Sequence, residues 1–121
     1  MEDCNISTLG LLGVQGNITN CSIGFSSINE SSLMINTTTA EDITVGNNSY
    51  IWIYHSNISS LFVDSRSWYP YNTNVTIWYS NMSKVGFYTN LGTLRIYSSR
   101  INFVTSVMSD VWINNSICDV V

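Results

Sequence analysis

The chain has 121 residues, of which 45% are hydrophobic and only 10% charged, with a formal net charge of −4. Four basic residues leave no cationic surface for a nucleic-acid partner. No run approaches the roughly 18–20 apolar residues of a membrane-spanning helix, no basic amphipathic helix is present, and the length fits one domain, residues 1–121.

The start, Met1-Glu2-Asp3-Cys4-Asn5, is acidic where a secretion signal would be basic, so no signal peptide is visible. That leaves a cytoplasmic protein, a chain numbered after processing, or a piece of a longer one. Ile6, Leu9 and Leu11 then match the last three positions of a pattern that fills the remaining sequence.

Its clearest copy is Ile51, Ile53, Ile58, Leu61 and Val63, at offsets 0, 2, 7, 10 and 12. The same spacing gives Leu33, Ile35, Ala40, Ile43 and Val45 before it, and Val75, Ile77, Met82, Val85 and Phe87 after it. Leu94, Ile96, Ile101 and Val104 keep the first four positions and place Ser106 at the last. Two looser copies bracket these: Leu12, Val14, Ile18, Cys21, Ile23 and Val111, Ile113, Ile117, Val120. Copies begin 21, 18, 24, 19 and 17 residues apart. Steps of two are strand steps, and the steps of five and three read as corners where a new strand starts inward. Repeats of this length stack as rungs of a β-solenoid, aligning their apolar columns into a core that no rung buries alone.

Other folds fit less well. Ala occurs once and few runs show helical spacing, while Ile, Val, Thr, Tyr and Trp fill the expected strands. An antiparallel sandwich also alternates, but it does not require one five-column offset and a matching Ser/Thr position in each copy. Regular columns and 12% aromatic residues argue against disorder despite the many Asn, Ser and Thr.

Val75-Thr76-Ile77-Trp78-Tyr79-Ser80-Asn81-Met82 and Leu94-Arg95-Ile96-Tyr97-Ser98-Ser99-Arg100-Ile101 resemble the strand, polar corner, strand repeat of right-handed parallel β-helix proteins, the pectin-lyase-like group. The resemblance spans residues 6–120 and implies an all-β, right-handed parallel β-helix of about six rungs. It marks a fold shared by enzymes, adhesins and fibres. Left-handed solenoids keep strict hexapeptide repeats, which the variable spacing here lacks.

Gly10, Gly13, Gly16 and Gly24 are expected to ease tight corners. The longest insertion, Asp64 to Asn74, holds the single proline and Trp68-Tyr69-Pro70-Tyr71, and is expected to project as a loop. The last copy ends at Val120-Val121 with no capping segment in this sequence. Bare solenoid ends favour head-to-tail stacking into a filament, and the rival explanation is a fragment whose caps lie elsewhere.

Ten Asn-X-Ser/Thr sequons are present, at Asn5, Asn17, Asn20, Asn29, Asn36, Asn47, Asn57, Asn74, Asn81 and Asn114. Random placement at this composition gives roughly four. Asn57 and Asn81 are expected at equivalent corners on adjacent rungs; Asn5, Asn20, Asn29, Asn36, Asn47, Asn74 and Asn114 fall elsewhere in the pattern. The excess points to a glycosylated, secreted chain; the structural alternative is that Asn serves corners through its tolerance of left-handed backbone. Of the three cysteines, Cys21 sits in an inward column, while Cys4 and Cys118 are expected to face out. A Cys4–Cys21 bridge fits adjacent rungs and leaves Cys118 for pairing between chains.

Trp52, Tyr54, Trp78, Tyr79, Tyr97 and Trp112 are expected outside, with Tyr54, Trp78 and Tyr97 in one column. Such a wall binds sugar rings, packs against another copy, or merely stacks across strands. Catalysis finds little support. Of the eight acids only Glu2-Asp3 and Glu41-Asp42 adjoin, and adjacent strand residues point to opposite faces. Asp64 with Arg66 is the best catalytic pair and reads as an exposed ion pair; His55 is the only histidine, which excludes a histidine metal cluster. No cofactor is implied. The sequence points to a non-enzymatic structural subunit of a glycosylated extracellular filament, whose partner is itself. The alternative is a carbohydrate-binding or carbohydrate-cleaving module using the aromatic wall and the Trp68–Tyr71 loop.

Overall fold

The β-branched and aromatic residues of each repeat favour extended backbone. The computed structural model, which describes residues 1–65, 72–107 and 109–120, contains strands and no helix among them. Consequently no helix is long and apolar enough to cross a membrane. In chain order the first strands are β1 (Asn5–Leu12), β2 (Gln15–Thr19), β3 (Ser22–Asn29), β4 (Ser32–Asn36), β5 (Thr39–Val45) and β6 (Tyr50–Tyr54). There follow β7 (Asn57–Ser65), β8 (Asn72–Trp78), β9 (Asn81–Thr89), β10 (Leu91–Tyr97), β11 (Arg100–Val107), β12 (Asp110–Asn114) and β13 (Ile117–Val120).

Odd-numbered strands form a seven-stranded parallel sheet and even-numbered strands a six-stranded one, each in sequence order. Every turn therefore lays one strand on each sheet, and the fold is a parallel β-solenoid of about six turns. The chain returns to the same corner after 17 or 18 residues early on, 24 in the middle, then 19 and 17.

The apolar columns stand in register between the sheets. Ile18, Ile35, Ile53, Ile77 and Ile96 form one continuous column, buried throughout. Ile23, Ala40, Ile58, Met82 and Ile101 form another on the seven-stranded side. A fully buried Ile or Leu contributes about 1.5–3 kcal/mol relative to exposure, but only where turns above and below cover it. Stability here belongs to the stack.

Four expectations about the rung are corrected. The step of three is not a corner: Ala40 and Ile43 lie in one continuous β5, with Glu41 and Asp42 between them both outward. The strand bends there, so alternation skips a residue and the two acids share the outer surface. The first copy shifts: Gly16 and Ile18, rather than Leu12 and Val14, pair with Leu33 and Ile35. A glycine in an apolar column hides that column from a pattern search. In the last copy Cys118, not Ile117, pairs with Ile101, and Ile117 is 67% exposed. Finally, of the four early glycines only Gly13, at φ 65°, occupies a corner; Gly10, Gly16 and Gly24 lie inside strands.

The ends of the segment expected as a loop, Asp64 to Asn74, belong to strands. Asp64 and Ser65 complete β7, and Asn72 to Asn74 open β8. Arg66 and the Trp68–Tyr71 segment lie outside the described residues, so the Asp64–Arg66 pair does too.

Candidate functional site

A chain that turns sharply between two sheets must satisfy the backbone groups its corners free. At the corner leading from even to odd strands, one left-handed residue is followed by a small residue directed inward. The left-handed positions are Asp3, Asn20, Thr37, His55, Tyr79, Ser98 and Asn115, with φ between 46° and 54°. Inward of them stand Cys4, Cys21, Thr38, Ser56, Ser80, Ser99 and Ser116. The Ser56 amide donates to Ser80 Oγ at 3.1 Å, the Ser80 amide to Ser99 Oγ at 3.1 Å, and the Ser99 amide to Ser116 Oγ at 3.1 Å. Each hydroxyl in turn donates to a carbonyl two residues back, as Ser80 does to Trp78 at 2.8 Å. The opposite corner repeats the device with Gly13, Glu30 and Asn48 left-handed, and Ser31 and Ser49 inward.

These corners account for part of the sequon excess. At Asn29, Asn36, Asn47 and Asn114 the middle residue (Glu30, Thr37, Asn48, Asn115) is the left-handed one. The third residue (Ser31, Thr38, Ser49, Ser116) is the inward hydroxyl, donating to the asparagine's own carbonyl at 2.7–3.2 Å. Those four asparagines were expected away from corners, and the structure sets them at corners. The corner calls for the left-handed residue and the inward hydroxyl, whereas the first position is Tyr54, Trp78 or Tyr97 at equivalent corners.

The remaining sequons are distributed differently. Asn5, Asn57 and Asn81 open β1, β7 and β9 in one outward column, exposed, with Asn57 directly paired with Asn81. Asn17 faces out from β2 and Asn20 is a left-handed corner residue donating to Asp3. Asn74 is half-buried and accepts a hydrogen bond from the Thr93 amide at 3.2 Å.

The aromatic wall forms as expected. Tyr54, Trp78 and Tyr97 share a column; the ring centroids lie 6.4 Å apart for Tyr54–Trp78 and 4.3 Å for Trp78–Tyr97, with planes inclined by 17° and 26°. His55 stacks on Tyr79 beside it, at 5.2 Å and 6°, a partnership the sequence reading missed. The consecutive left-handed positions of His55 and Tyr79 were the available signal. Because the rings stack along the solenoid axis, Trp78 has a ring on each of its faces. Trp52 and Trp112 sit in the neighbouring column with Thr76 and Arg95 between them, and Trp112 is 63% exposed.

Where the long strands bend, the outer surface is concave. A groove of about 550 Å³ runs beside β1, β3, β5 and β7, edged by Asn5, Ser7, Thr39, Glu41, Asn57 and Ser59. Gly24 lets β1 and β3 approach closely beside it: a Cβ there would stand 2.5 Å from the Ser7 carbonyl oxygen.

Cys4 and Cys118, expected to face out, are half-buried against the core, because Cys4 continues the inward corner column and Cys118 an apolar column. Cys21 is buried, as expected. Burial first, and then the hydrogen bond and charge of neighbouring Cys21, push the Cys4 thiol above its ordinary range. Among the described residues no group of three or more His, Cys, Asp and Glu side chains is placed to hold a metal.

No protein-family model, curated protein or solved structure matches the chain.

Proposed function

We propose that the chain is a structural subunit of a glycosylated extracellular filament or surface fibre, assembled by stacking solenoids end to end. The observation that carries this reading is the unbroken register of the apolar columns from turn to turn, which a turn of another copy would continue. β1 and β2 edge the two sheets on one side and β12 and β13 on the other, and the edge of a parallel sheet is where a further strand adds. At those edges Ile113 continues the buried isoleucine column and is 39% exposed, and Ile6, Leu9 and Leu11 are half-buried. The segment Met1–Asp3 already bonds along part of β2, with the Thr19 amide donating to the Met1 carbonyl at 2.9 Å. A right-handed course, following the general rule for parallel crossovers, and a pectin-lyase-like repeat belong to the same proposal.

Head-to-tail contact of this kind does not close, and so builds a rod. The carbohydrate-module reading is the weaker one because Trp78, the middle of the wall, is stacked on both faces and offers an edge rather than a face to a sugar. No enzymatic role is proposed.

Electron microscopy and sedimentation of the full chain across a concentration series test the reading. Rods that lengthen with concentration, and that disappear in the Ile113→Lys variant while its β-sheet circular dichroism persists, are expected. Compact monomers at every concentration overturn it.

A further inference from the structure

Three sequons differ from the rest in a shared way. Asn5-Ile6-Ser7, Asn57-Ile58-Ser59 and Asn81-Met82-Ser83 each begin a long strand, in the same register. In each, the asparagine and the serine are exposed and face outward, while the middle residue turns toward the core. Asn5, Ser7, Asn57 and Ser59 also edge the polar groove.

The corner sequons at Asn29, Asn36 and Asn47 are the reverse, with the asparagine half-buried, the middle residue exposed and the hydroxyl residue buried. Ser31 and Ser49 are buried, and each hydroxyl both donates to a carbonyl and accepts an amide from the adjacent turn. Thr38 does the same. The Asn29 side chain lies over the α-carbon of Gly46, where an added Cβ would collide with Asn29 Oδ1. A glycan at Asn29 would have to lift that side chain off Gly46 and away from Ser27, to which its amide donates.

We propose that N-linked glycans are carried by the groove face, at Asn5, Asn57 and Asn81, and excluded from the corner sequons Asn29, Asn36 and Asn47. The inference rests on the glycosylated reading given above. The groove seats the first sugar rings of the glycans at Asn5 and Asn57. Its volume of about 550 Å³ lies within the roughly 300–1,000 Å³ of clefts that hold small ligands. Hydroxyl and amide edges, with the single carboxylate of Glu41, suit a neutral polyol better than an anion. A glycan there also covers the exposed Phe25 ring, which lines the same groove.

The test is glycopeptide mapping of the full chain secreted in folded form by a eukaryotic cell line. Each occupied asparagine is marked by its conversion to aspartate on enzymatic glycan release. Glycan on the groove sequons, with Asn29, Asn36 and Asn47 unmodified, is the expected result. Ser59→Ala, which keeps Asn57, should remove glycan from that site alone and leave the circular dichroism spectrum unchanged. Any glycan on Asn29, Asn36 or Asn47 of folded protein overturns the inference and leaves the glycosylated reading standing. A chain at bare polypeptide mass overturns both.

Discussion

Trp78 and Tyr97 stack on adjacent turns with ring centroids 4.3 Å apart, while Tyr54 covers Trp78 from the turn before. Trp78 is thus the middle ring of the ladder. Aromatic pairs add about 0.5–1.5 kcal/mol beyond area burial, so Trp78→Ala is expected to cost about 2–3 kcal/mol in urea unfolding. Trp78→Tyr should recover part of that. Trp112→Ala, at a far more exposed position, should change stability by less than about 0.5 kcal/mol.

Ser80 holds three turns together, accepting from the Ser56 amide, donating to the Trp78 carbonyl, and passing its own amide to Ser99. Ser80→Ala leaves the Ser56 amide buried without an acceptor, which costs about 1–3 kcal/mol. Ser80→Thr should be tolerated, because Thr38 fills the same column. Denaturant midpoints of the two variants check the contrast. Equal loss in both would mean the hydroxyl is not what matters.

Ser26 stands in a column otherwise filled by Leu9, Ile43, Leu61, Val85 and Val104. Its hydroxyl is buried and makes no hydrogen bond. Removing such a group is expected to cost nothing or to stabilise, so Ser26→Ala should raise the unfolding free energy by up to about 1 kcal/mol. Thermal melting of the variant is the measurement, and a clear drop in midpoint would show the hydroxyl to be needed.

Because burial and Cys21 raise the Cys4 pKa, the thiol form is favoured and less thiolate is present at any given pH. Iodoacetamide labelling of native protein should therefore be slower at Cys4 than at an unstructured cysteine. The rate should go on rising above about pH 8.5, the ordinary thiol value. Mass spectrometry of quenched samples reads both.

Stacked positions of a parallel sheet lie about 4.8 Å apart, inside the range a disulfide spans. Oxidised glutathione is therefore expected to join Cys4 to Cys21. Cys118 belongs to the strand at the far edge of the same sheet, so a Cys4–Cys118 peptide within one chain would contradict the stack.

Much of this was legible in the sequence, and the failures have physical causes. The copies from Leu33 to Val104 fell into register because each apolar column is nearly unbroken there. The first copy slipped because Gly16 occupies a column position without an apolar side chain. Glu41 and Asp42 were set on opposite faces by strict alternation, which a bend suspends. Asn29, Asn36, Asn47 and Asn114 looked scattered because their common feature is a backbone dihedral one residue later, which letters do not display.

The amino-acid sequence by itself determined the repeat, the all-β class and the parallel stacking, since burying one periodic pattern over 121 residues admits few other arrangements. Only the tertiary structure decided what each polar residue is for. Serine reads the same in sequence whether it bonds a corner, lies orphaned in the core or lines a groove. Ser80, Ser26 and Ser59 do these three things, and what separates them is the neighbour that the adjacent turn supplies. That neighbour lies 17 to 24 residues away in the chain, at a distance set by the path of each turn.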